Sequence, residues 1–350
     1  MIAVVILNWN GAEMLRRFLP SVVEHSHHLG EVIVADNGST DNSLEILQQE
    51  FPEVRPLVLD HNYGFAEGYN EAFRRLEEIA PHHYDYYLLL NSDVRVTAQW
   101  LRPLHTYMEQ HPEVAAAQPK IRAEWAHDTL EYAGASGGFI DRYGYPFCRG
   151  RLLSVVETDH GQYDDIASIF WATGAALLIR QADWWDVGGL DGRFFAHNEE
   201  IDLCWRLRAR GRGIVCIPES VVYHVGGGTL PQEHPRKTYL NFRNNLTMLF
   251  KNLPEAELKP VMRVRCLLDF VAFVQFLLKG DLANAKAVRK ARRDFHQWRK
   301  DFVKDRQENL ALTVEHPIAE RIQRSLIVGF FLKGQKTFSA FMKRKQGTNI

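Results

Sequence analysis

The sequence predicts an α/β fold in which a mostly parallel sheet is covered by helices on both faces. Short apolar runs alternate with helical patterns over the first hundred residues, and each run ends in a cluster of Asn, Asp, Ser or Gly. Continuous apolar strands of this kind are typical of parallel sheets buried on both faces. With 350 residues and 46% apolar content, the chain is long enough for one large core.

The alternating elements follow one another at short intervals. Ala3–Leu7 is the first expected strand, and a helix is expected over residues 12–23 because its apolar side chains fall on one stripe. Val32–Ala35, Leu57–Leu59 and Tyr86–Leu90 are the next three expected strands. Together they predict a doubly covered sheet resembling a nucleotide-binding domain.

Polar side chains follow these strands where a ligand is expected. Asn8, Asp36 and Asp93 come after the first, second and fourth strands. In open parallel sheets the ligand lies beyond the carboxyl ends of the strands, so these residues are candidates for binding it. Turn formation and helix capping are the alternative role of Asp36 and its neighbours. The glycine-spaced loop 62–70 would let its backbone approach a ligand closely.

Three carboxylates lie within four positions at Glu199, Glu200 and Asp202. Carboxylates this close repel one another, so a metal, another cation or a shared proton is expected to hold them. On a helix, Glu199 and Asp202 share a face, whereas Glu200 points about 100° away. The alternative is a solvated helix start, where acidic side chains favour the positive end of the helix.

Composition excludes several classes of protein. The four cysteines have no CxxC spacing, so we expect neither a zinc site nor a disulfide framework. No segment has eighteen uninterrupted apolar residues, so no membrane-spanning helix is expected. The N-terminal apolar run has no basic leader, and we expect a buried strand there, not a signal peptide. The expected compartment is therefore the cytoplasm.

The overall net charge of −1 hides a basic C-terminal part. Residues 251–350 contain 21 Lys or Arg and 10 Asp or Glu, a net charge of +11. Helical patterns with apolar faces and flanking cations predict interfacial helices on an anionic membrane, at the inner face of the cell membrane. Packing on the rest of the chain, or in a homodimer, is the alternative. The chain has no recognised nucleic-acid motif, so we expect no nucleic-acid partner.

Several motifs occur in an order that resembles the GT-A glycosyltransferases of family 2, in particular the rhamnosyltransferase-like branch that builds bacterial surface polysaccharides. They are Leu7-Asn8-Trp9-Asn10-Gly11, Ala35-Asp36-Asn37-Gly38-Ser39-Thr40-Asp41, Asn62-Tyr63-Gly64-Phe65-Ala66, Leu90-Asn91-Ser92-Asp93-Val94, Trp171-Ala172-Thr173-Gly174-Ala175, Gly188-Gly189-Leu190-Asp191, the acidic segment, and His224 with Gly226 to Thr229. The resemblance covers about residues 1–250. It implies a GT-A catalytic domain there, with a nucleotide-binding part over about 1–118 and an acceptor part over about 119–250, followed by a helical extension over 251–350.

The resemblance also implies an activity: metal-dependent, inverting transfer of a hexose or a deoxyhexose such as rhamnose. The donor would be a nucleotide-diphosphate sugar and the acceptor a glycan or a lipid-linked saccharide. Mg²⁺ or Mn²⁺ would neutralise the leaving diphosphate, held by Asp93 and by His224. The family often has Asp-x-Asp at this position, and Asn91 stands at its first aspartate.

The catalytic base of the family corresponds to Glu200, where this chain has Glu-Glu in place of Glu-Asp. Glu199 and Asp202 are the neighbouring candidates, and Asp202 is the alternative base. The implied nucleotide-sugar residues are Asn8, Asn10, Asp36, Asn62, Gly64, Asn70, Ser92 and Arg243.

Two other functions remain open at this stage. A catalytically silent sugar-nucleotide-binding scaffold of the same fold would keep the site without turnover. A sugar nucleotidyltransferase should have a glycine-rich loop with Arg or Lys after the first strand, which Asn8-Trp9-Asn10-Gly11 is not. The intact Asp93, Glu200 and His224 favour the transferase.

Overall fold

The computed structural model describes residues 1–226 and 234–343. Its strands, in chain order, are β1 (Ile2–Asn8), β2 (Gly30–Asp36), β3 (Arg55–Val58), β4 (Tyr86–Leu90), β5 (Val94–Val96), β6 (Val114–Ala123), β7 (Ala126–Leu130), β8 (Gly138–Asp141), β9 (Pro146–Cys148), β10 (Arg151–Leu152), β11 (Val155–Val156), β12 (Ala167–Ser168), β13 (Ala176–Arg180), β14 (Gly213–His224) and β15 (Arg321–Ile322). Its helices are α1 (Ala12–Ser26), α2 (Ser43–Glu50), α3 (Gly64–Ile79), α4 (Leu101–Gln110), α5 (Gln181–Asp186), α6 (Glu199–Ala209), α7 (Pro235–Asn252), α8 (Glu255–Leu278), α9 (Leu282–Trp298), α10 (Val303–Ala311) and α11 (Phe338–Met342).

The central sheet has the strand order β12-β14-β6-β13-β4-β1-β2-β3, with β5 and β7 paired at its side. Strands β3, β2, β1 and β4 run parallel, and β13 then pairs antiparallel with β4. The expected mostly parallel α/β sheet is confirmed, and all four expected strands are present. Asn8 pairs with Asp36 at the ends of β1 and β2, which brings the predicted polar residues to one edge.

Side chains of the central strands alternate between two cores. In β1, Ala3 and Val5 pack into the core that includes α3, whereas Ile2, Val4 and Ile6 pack into the core under α1, α2 and α4. Because a strand points successive side chains to opposite faces, a continuous apolar run serves both cores.

Residues 120–165, which lack a helical period, form the end of β6 and a series of short strands. A second sheet has the order β11-β10-β9-β8-β15, and its last strand comes from the C-terminal part of the chain. Arg321 of β15 pairs with Ile140 of β8. The C-terminal segment is therefore fastened to the middle of the chain by backbone hydrogen bonds.

The C-terminal part is helical, as its pattern predicts, but much of it packs on the catalytic part. Phe302, Leu326, Phe338 and Phe341 are buried in the same core as α3 and the second sheet. Residues 325–342, an apolar stretch of this part, contain a π-helical turn, Val328–Leu332, and α11. The basic residues 343–345 that end this stretch lie mostly outside the described residues, as do residues 227–229 of the glycine motif.

Candidate active site

The ends of β1 and β2 form one hydrogen-bonded cluster. The Asn8 side-chain Nδ2 donates to the Asp36 carboxylate at 3.1 Å and to the Ser39 hydroxyl at 3.2 Å. The Ser39 backbone N–H donates to the other Asp36 oxygen at 3.0 Å. Asn8 is fully buried, and its Oδ1 has no hydrogen-bond partner among the described residues. A buried acceptor of this kind is available to a ligand donor.

Asn10 joins the loops that follow these two strands. Its Oδ1 accepts from the Thr40 backbone N–H at 2.7 Å, and its own backbone N–H donates to Ser39 at 2.9 Å. Asp41 accepts from the first residues of two helices, Ala12 at 3.1 Å and Ser43 at 3.1 Å. Capping, the alternative considered for Asp41, is what its contacts show. The two loops therefore form one rigid edge above the strands.

The loop that carries Asn62 and Gly64 is fixed to the same edge by Asn37. The Asn37 side chain accepts from the Tyr63 backbone N–H at 2.9 Å and donates to the Gly64 carbonyl at 3.0 Å. Gly64 has a positive φ of +79°, and a Cβ there would lie 2.6 Å from the Phe195 ring. Only glycine fits this close approach, so the loop meets the segment leading to the three carboxylates.

Asp93 and His224 form a buried pair. The Nε2 of His224 lies 3.1 Å from the Asp93 carboxylate, and its Nδ1 lies 3.5 Å from that of Glu131. Burial alone would lower the pKa of His224, but the neighbouring carboxylates of Asp93 and Glu131 raise it to about 10. Burial opposes ionisation of Asp93, yet the hydrogen bond to His224 lowers its pKa below the usual range.

Glu199 and Glu200 are the first two residues of α6; Glu199 is buried and Glu200 is half-buried. The Oε2 atoms of both side chains are buried and have no hydrogen-bond partner within residues 1–226 and 234–343. Burial raises the pKa of Glu200 to about 7, and burial together with the charge of Glu200 raises the pKa of Glu199 well above its usual range. A buried carboxyl with a pKa near neutrality is suited to proton transfer.

Asp202, the third carboxylate, has a different environment. It is fully buried and accepts from Arg206 at 3.0 Å, from Lys251 at 2.8 Å and from Asn252 at 2.8 Å. Lys251 also donates to Asp191 at 2.7 Å, in the turn that follows Gly188 and Gly189. Asp202 therefore joins α6 to α7 through ion pairs, and both its oxygens are occupied.

The segment before α6 has an unusual backbone. Phe195, His197 and Asn198 have φ values of +68°, +72° and +70°, in the left-handed region that residues with a side chain rarely adopt. Each such residue costs roughly 1–2 kcal/mol. Strained backbone of this kind occurs at functional sites, where surrounding contacts hold it in place.

Contacts bring the two acidic groups to the same end of the sheet. The Asn91 backbone N–H, two residues before Asp93, donates to the Ala175 carbonyl at 3.0 Å. A Cβ on the preceding Gly174 would lie 4.0 Å from the Cβ of Glu200. The peptide that follows β4 is thus linked to Glu200 through one short segment, residues 174–175.

Asn70 and Arg243, two of the expected nucleotide-sugar residues, also bind protein groups. Asn70 uses both ends of its amide on the Leu190 backbone, at 2.8 and 3.0 Å, and so fastens α3 to the Gly188–Asp191 turn. Arg243 donates to Asn244 at 2.8 Å and to the Phe194 carbonyl at 3.2 Å, with its guanidinium 4.1 Å from the centre of the Trp298 ring. Ser92 is half-buried near Gly11 and Asn8.

Sequence reasoning missed Glu131, Asn37 and Asn244. Each contacts residues that are remote in sequence, and no local motif marks Glu131, which lies in an irregular stretch after β7. Asn37 stands inside the Ala35–Asp41 motif and Asn244 directly follows the candidate residue Arg243, so their positions signalled a role. Their hydrogen-bond partners, which define that role, are visible only in the fold.

Comparison with known proteins agrees with this architecture. Residues 3–167 match the family described as Glycosyl transferase family 2. An N-acetylglucosaminyl-diphospho-decaprenol L-rhamnosyltransferase of Mycobacterium tuberculosis is 28% identical over 233 residues, which is 63% of this chain and 75% of the relative. The rhamnosyltransferase WbbL of Escherichia coli K12 is 24% identical over 258 residues, covering 72% of this chain and 92% of WbbL.

Solved structures share the fold at low identity. GalNAc-T7 with UDP, GalNAc and Mn²⁺ has a TM-score of 0.57 at 14% identity, over 91% of this chain and 58% of that one. S. aureus TarS 1-349 in complex with UDP-GlcNAc has a TM-score of 0.54 at 15% identity, over 89% and 88% of the two chains. The expected GT-A fold is therefore confirmed.

Proposed function

We propose that the chain is a family 2 glycosyltransferase, as the match of residues 3–167 to that family supports, and that it transfers a hexose or deoxyhexose from a nucleotide-diphosphate sugar, with inversion at the anomeric carbon. The acceptor is a glycan or lipid-linked saccharide of a cell-surface polysaccharide. In support, the M. tuberculosis relative is named an N-acetylglucosaminyl-diphospho-decaprenol L-rhamnosyltransferase and the E. coli relative a rhamnosyltransferase. The observation that carries the proposal is the Glu200 carboxylate, whose buried Oε2 has no hydrogen-bond partner among the described residues and whose Cβ lies close to Gly174.

We assign the nucleoside to the edge formed by Asn8, Asp36 and the loops that follow. Asp36 is already oriented by Asn8 and Ser39, so its carboxylate can accept from a ribose or base without reorganising. The free Oδ1 of Asn8 offers an acceptor in the same place. Asn10, Asn62 and Gly64 shape the edge, whereas Asn70 and Arg243 are left out because their polar atoms already bind protein groups.

Asp93 and His224 would hold a divalent cation once the imidazole, which is protonated against Asp93 without metal, releases its Nε2 proton to solvent. Their facing atoms, one carboxylate oxygen and one imidazole nitrogen 3.1 Å apart, are a donor pair that Mn²⁺ accepts. No third metal-binding side chain joins them in the parts of the chain that the structure describes, which leaves coordination positions for diphosphate oxygens and water. The cation would neutralise the charge that develops on the leaving diphosphate. Glu131 holds the other side of the imidazole, as partners of metal-binding histidines commonly do.

Glu200 is the proposed base. It removes the proton from the acceptor hydroxyl as the oxygen attacks the anomeric carbon, while the bond to the diphosphate breaks. Burial, with no ion pair to Oε2 in the described ranges, keeps its pKa high enough for this transfer at neutral pH. Glu199 is the adjacent residue, and the negative charge of Glu200 raises the pKa of Glu199, so ionisation of both carboxyls is disfavoured. Asp202 is not the proposed base because Arg206, Lys251 and Asn252 occupy its oxygens.

The α8–α9 hairpin is the proposed contact with an anionic membrane. On α8, Leu267, Phe270 and Leu278 are 62%, 59% and 84% exposed along one stripe, and Leu282 at the start of α9 is 58% exposed. Four basic residues share one exposed stripe of α9: Lys286, Arg289, Lys290 and Arg293. Apolar side chains beside cations complement a surface of anionic lipid headgroups. Among the described helices, none has the length and apolarity to cross a bilayer.

The test of the proposed base is nucleoside diphosphate release from a sugar nucleotide with water as the acceptor. Glu200→Gln keeps the shape of the side chain and removes the base, so we expect a loss of at least about 100-fold in kcat. Nucleotide affinity, measured by calorimetry, should remain within about twofold because Glu200 is not assigned to the nucleotide edge. Full turnover by Glu200→Gln would refute the assignment, and Asp202→Asn is the matched carboxylate control.

A further inference from the structure

The turn before α6 is held by one amide side chain of α7. The Nδ2 of Asn244 lies within hydrogen-bond distance of three carbonyl oxygens, those of Phe194 at 3.0 Å, Ala196 at 2.8 Å and His197 at 2.8 Å. Asn244 is completely buried. These three carbonyls belong to the turn whose backbone is left-handed at Phe195, His197 and Asn198.

Arg243 determines which way the Asn244 amide points. Its guanidinium donates to Asn244 Oδ1 from both Nε, at 2.9 Å, and Nη2, at 2.8 Å. A guanidinium has no acceptor, so only the oxygen of the amide can face it. The nitrogen is thereby directed at the three carbonyls, and the assignment does not depend on distinguishing O from N by shape.

Neighbouring contacts fasten the rest of the turn. Asn245 donates to the Asn198 side chain at 3.3 Å and to the Gly144 carbonyl at 2.7 Å. The Phe195 carbonyl accepts from the Phe65 and Ala66 N–H groups at 3.0 and 3.3 Å. Asn244 is distinct because it alone, of these side chains, is aimed at the carbonyls of Ala196 and His197.

We propose that Asn244 is a positioning residue for catalysis, oriented by Arg243, that holds the turn 194–198 so that Glu200 enters α6 in place to reach the acceptor hydroxyl. The inference rests on the proposed function of Glu200 and deepens it. It also gives Arg243 a role other than binding diphosphate.

The sharpest variant is Asn244→Asp, which keeps size and shape but turns two donor hydrogens into a carboxylate oxygen facing three carbonyl oxygens. The turn must then shift, and a displacement of about 1 Å at a reacting group can reduce turnover about 100-fold. We therefore expect kcat for nucleoside diphosphate release from a UDP-, GDP- or dTDP-sugar with Mn²⁺ to fall 10- to 100-fold. The dissociation constant of the nucleoside diphosphate should stay within about twofold, since the nucleotide edge is built from β1, β2 and their loops.

Met248→Ala is the matched control. Met248 is also buried on α7, and its side chain makes none of the hydrogen bonds to the turn, so its truncation destabilises the fold through a cavity and leaves those bonds in place. It should lower the melting temperature at least as much as Asn244→Asp while leaving kcat at the wild-type value below the melting transition. Equal losses of kcat in both variants would overturn the proposal, because the effect would then be one of general stability.

Arg243→Met gives an independent test if Asn244→Asp does not fold. It removes the donors that orient the amide and should lower kcat with unchanged nucleotide affinity. A loss of nucleotide affinity in Arg243→Met would overturn the proposal and support diphosphate binding by Arg243. Wild-type kcat in Asn244→Asp would also overturn it, whatever the result for Glu200→Gln. Full turnover of Glu200→Gln would instead overturn the base assignment itself, and with it any positioning of that base.

Discussion

At the scale of single residues, three carboxylates that are nearly adjacent in sequence acquire different chemistry from their surroundings. Asp202 has a cation or amide at each oxygen, whereas the buried Oε2 atoms of Glu199 and Glu200 find no partner in the described structure. Desolvation without a compensating partner raises a carboxyl pKa, and a partner of opposite charge lowers it. The surroundings of Glu200 and Asp202, and not their residue types, therefore make Glu200 the candidate base and Asp202 a structural ion-pair residue.

The pH dependence of turnover follows from the Glu200 pKa of about 7. The base must be ionised, so kcat should rise with pH through about 7 and level off above it. Glu199 and the Cys204 thiol interact electrostatically with Glu200, and no cation is among the causes of its pKa shift. A kcat–pH profile that is flat from pH 5 to 8 would contradict this prediction.

The same pKa predicts an effect on stability. The folded state binds the Glu200 proton more tightly than the unfolded chain does, so this group's contribution to stability falls as pH rises from about 4.5 to about 7. Glu200→Gln removes the buried charge and should raise the melting temperature at pH 8 by a few degrees while abolishing turnover. Differential scanning calorimetry at pH 5 and pH 8 measures this, and the gain should be smaller at pH 5.

For Asp93 the predicted effect is on metal-coupled binding. Asp93→Asn should leave the fold intact and remove most of the enhancement of nucleoside diphosphate affinity by Mn²⁺, because a neutral amide is a poor ligand for a hard cation. Calorimetric titration with and without Mn²⁺ provides the readout. His105→Gln is a suitable control, since this half-buried histidine lies on α4 and outside the candidate site. An undiminished Mn²⁺ effect in Asp93→Asn would exclude it as the metal ligand.

At the scale of secondary-structure elements, local patterns were enough to predict the strands and the polar ends of β1, β2 and β4. Apolar periodicity and turn residues depend only on neighbouring positions, so they can be recognised from the sequence alone. The partners of Asp202 are not local, because Lys251 and Asn252 are about fifty positions away. For that reason helix periodicity, which places Glu199 and Asp202 on one face, does not show which carboxylate is the base and which forms an ion pair. Asn70 and Arg243 were expected at the nucleotide for the same reason.

The α6–α7 ion-pair network gives a prediction at this scale. Asp202→Asn leaves Lys251 and Arg206 buried with one carboxylate fewer, and breaking a buried pair costs about 3–5 kcal/mol. We expect lower stability in urea denaturation, with kcat of the folded enzyme within about threefold of wild type. A 100-fold loss of kcat without a loss of stability would instead identify Asp202 as the base.

At the scale of the whole molecule, the C-terminal part has two roles in the structure. Part of it completes the catalytic fold, since Lys251 and Asn252 fix Asp202 and Phe338 packs on the second sheet. The predicted boundary between residues 250 and 251 falls inside α7. The α8–α9 hairpin instead leaves an apolar stripe exposed, with exposed basic side chains along α9.

The exposed stripe of the α8–α9 hairpin predicts binding to anionic membranes. The full chain should float with vesicles containing anionic lipid, and Phe270→Glu with Leu278→Glu should abolish flotation by opposing both burial and charge attraction. Val314→Glu is the matched control, because Val314 is 77% exposed but lies outside the hairpin. Binding should weaken as salt is raised. Flotation of the double variant at the wild-type level would refute the proposed surface.

Donor hydrolysis is the most direct test of the proposed transferase activity. It would be measured for the purified wild type and for Glu200→Gln with UDP-, GDP- and dTDP-sugars, first with Mn²⁺ and then with EDTA. If the chain is a glycosyltransferase with Glu200 as its base, the wild type should release one nucleoside diphosphate slowly and only with metal. Glu200→Gln should release at least about 100-fold less. No release from any donor, together with no thermal shift on adding nucleotide, would contradict the proposed activity and indicate a catalytically silent scaffold.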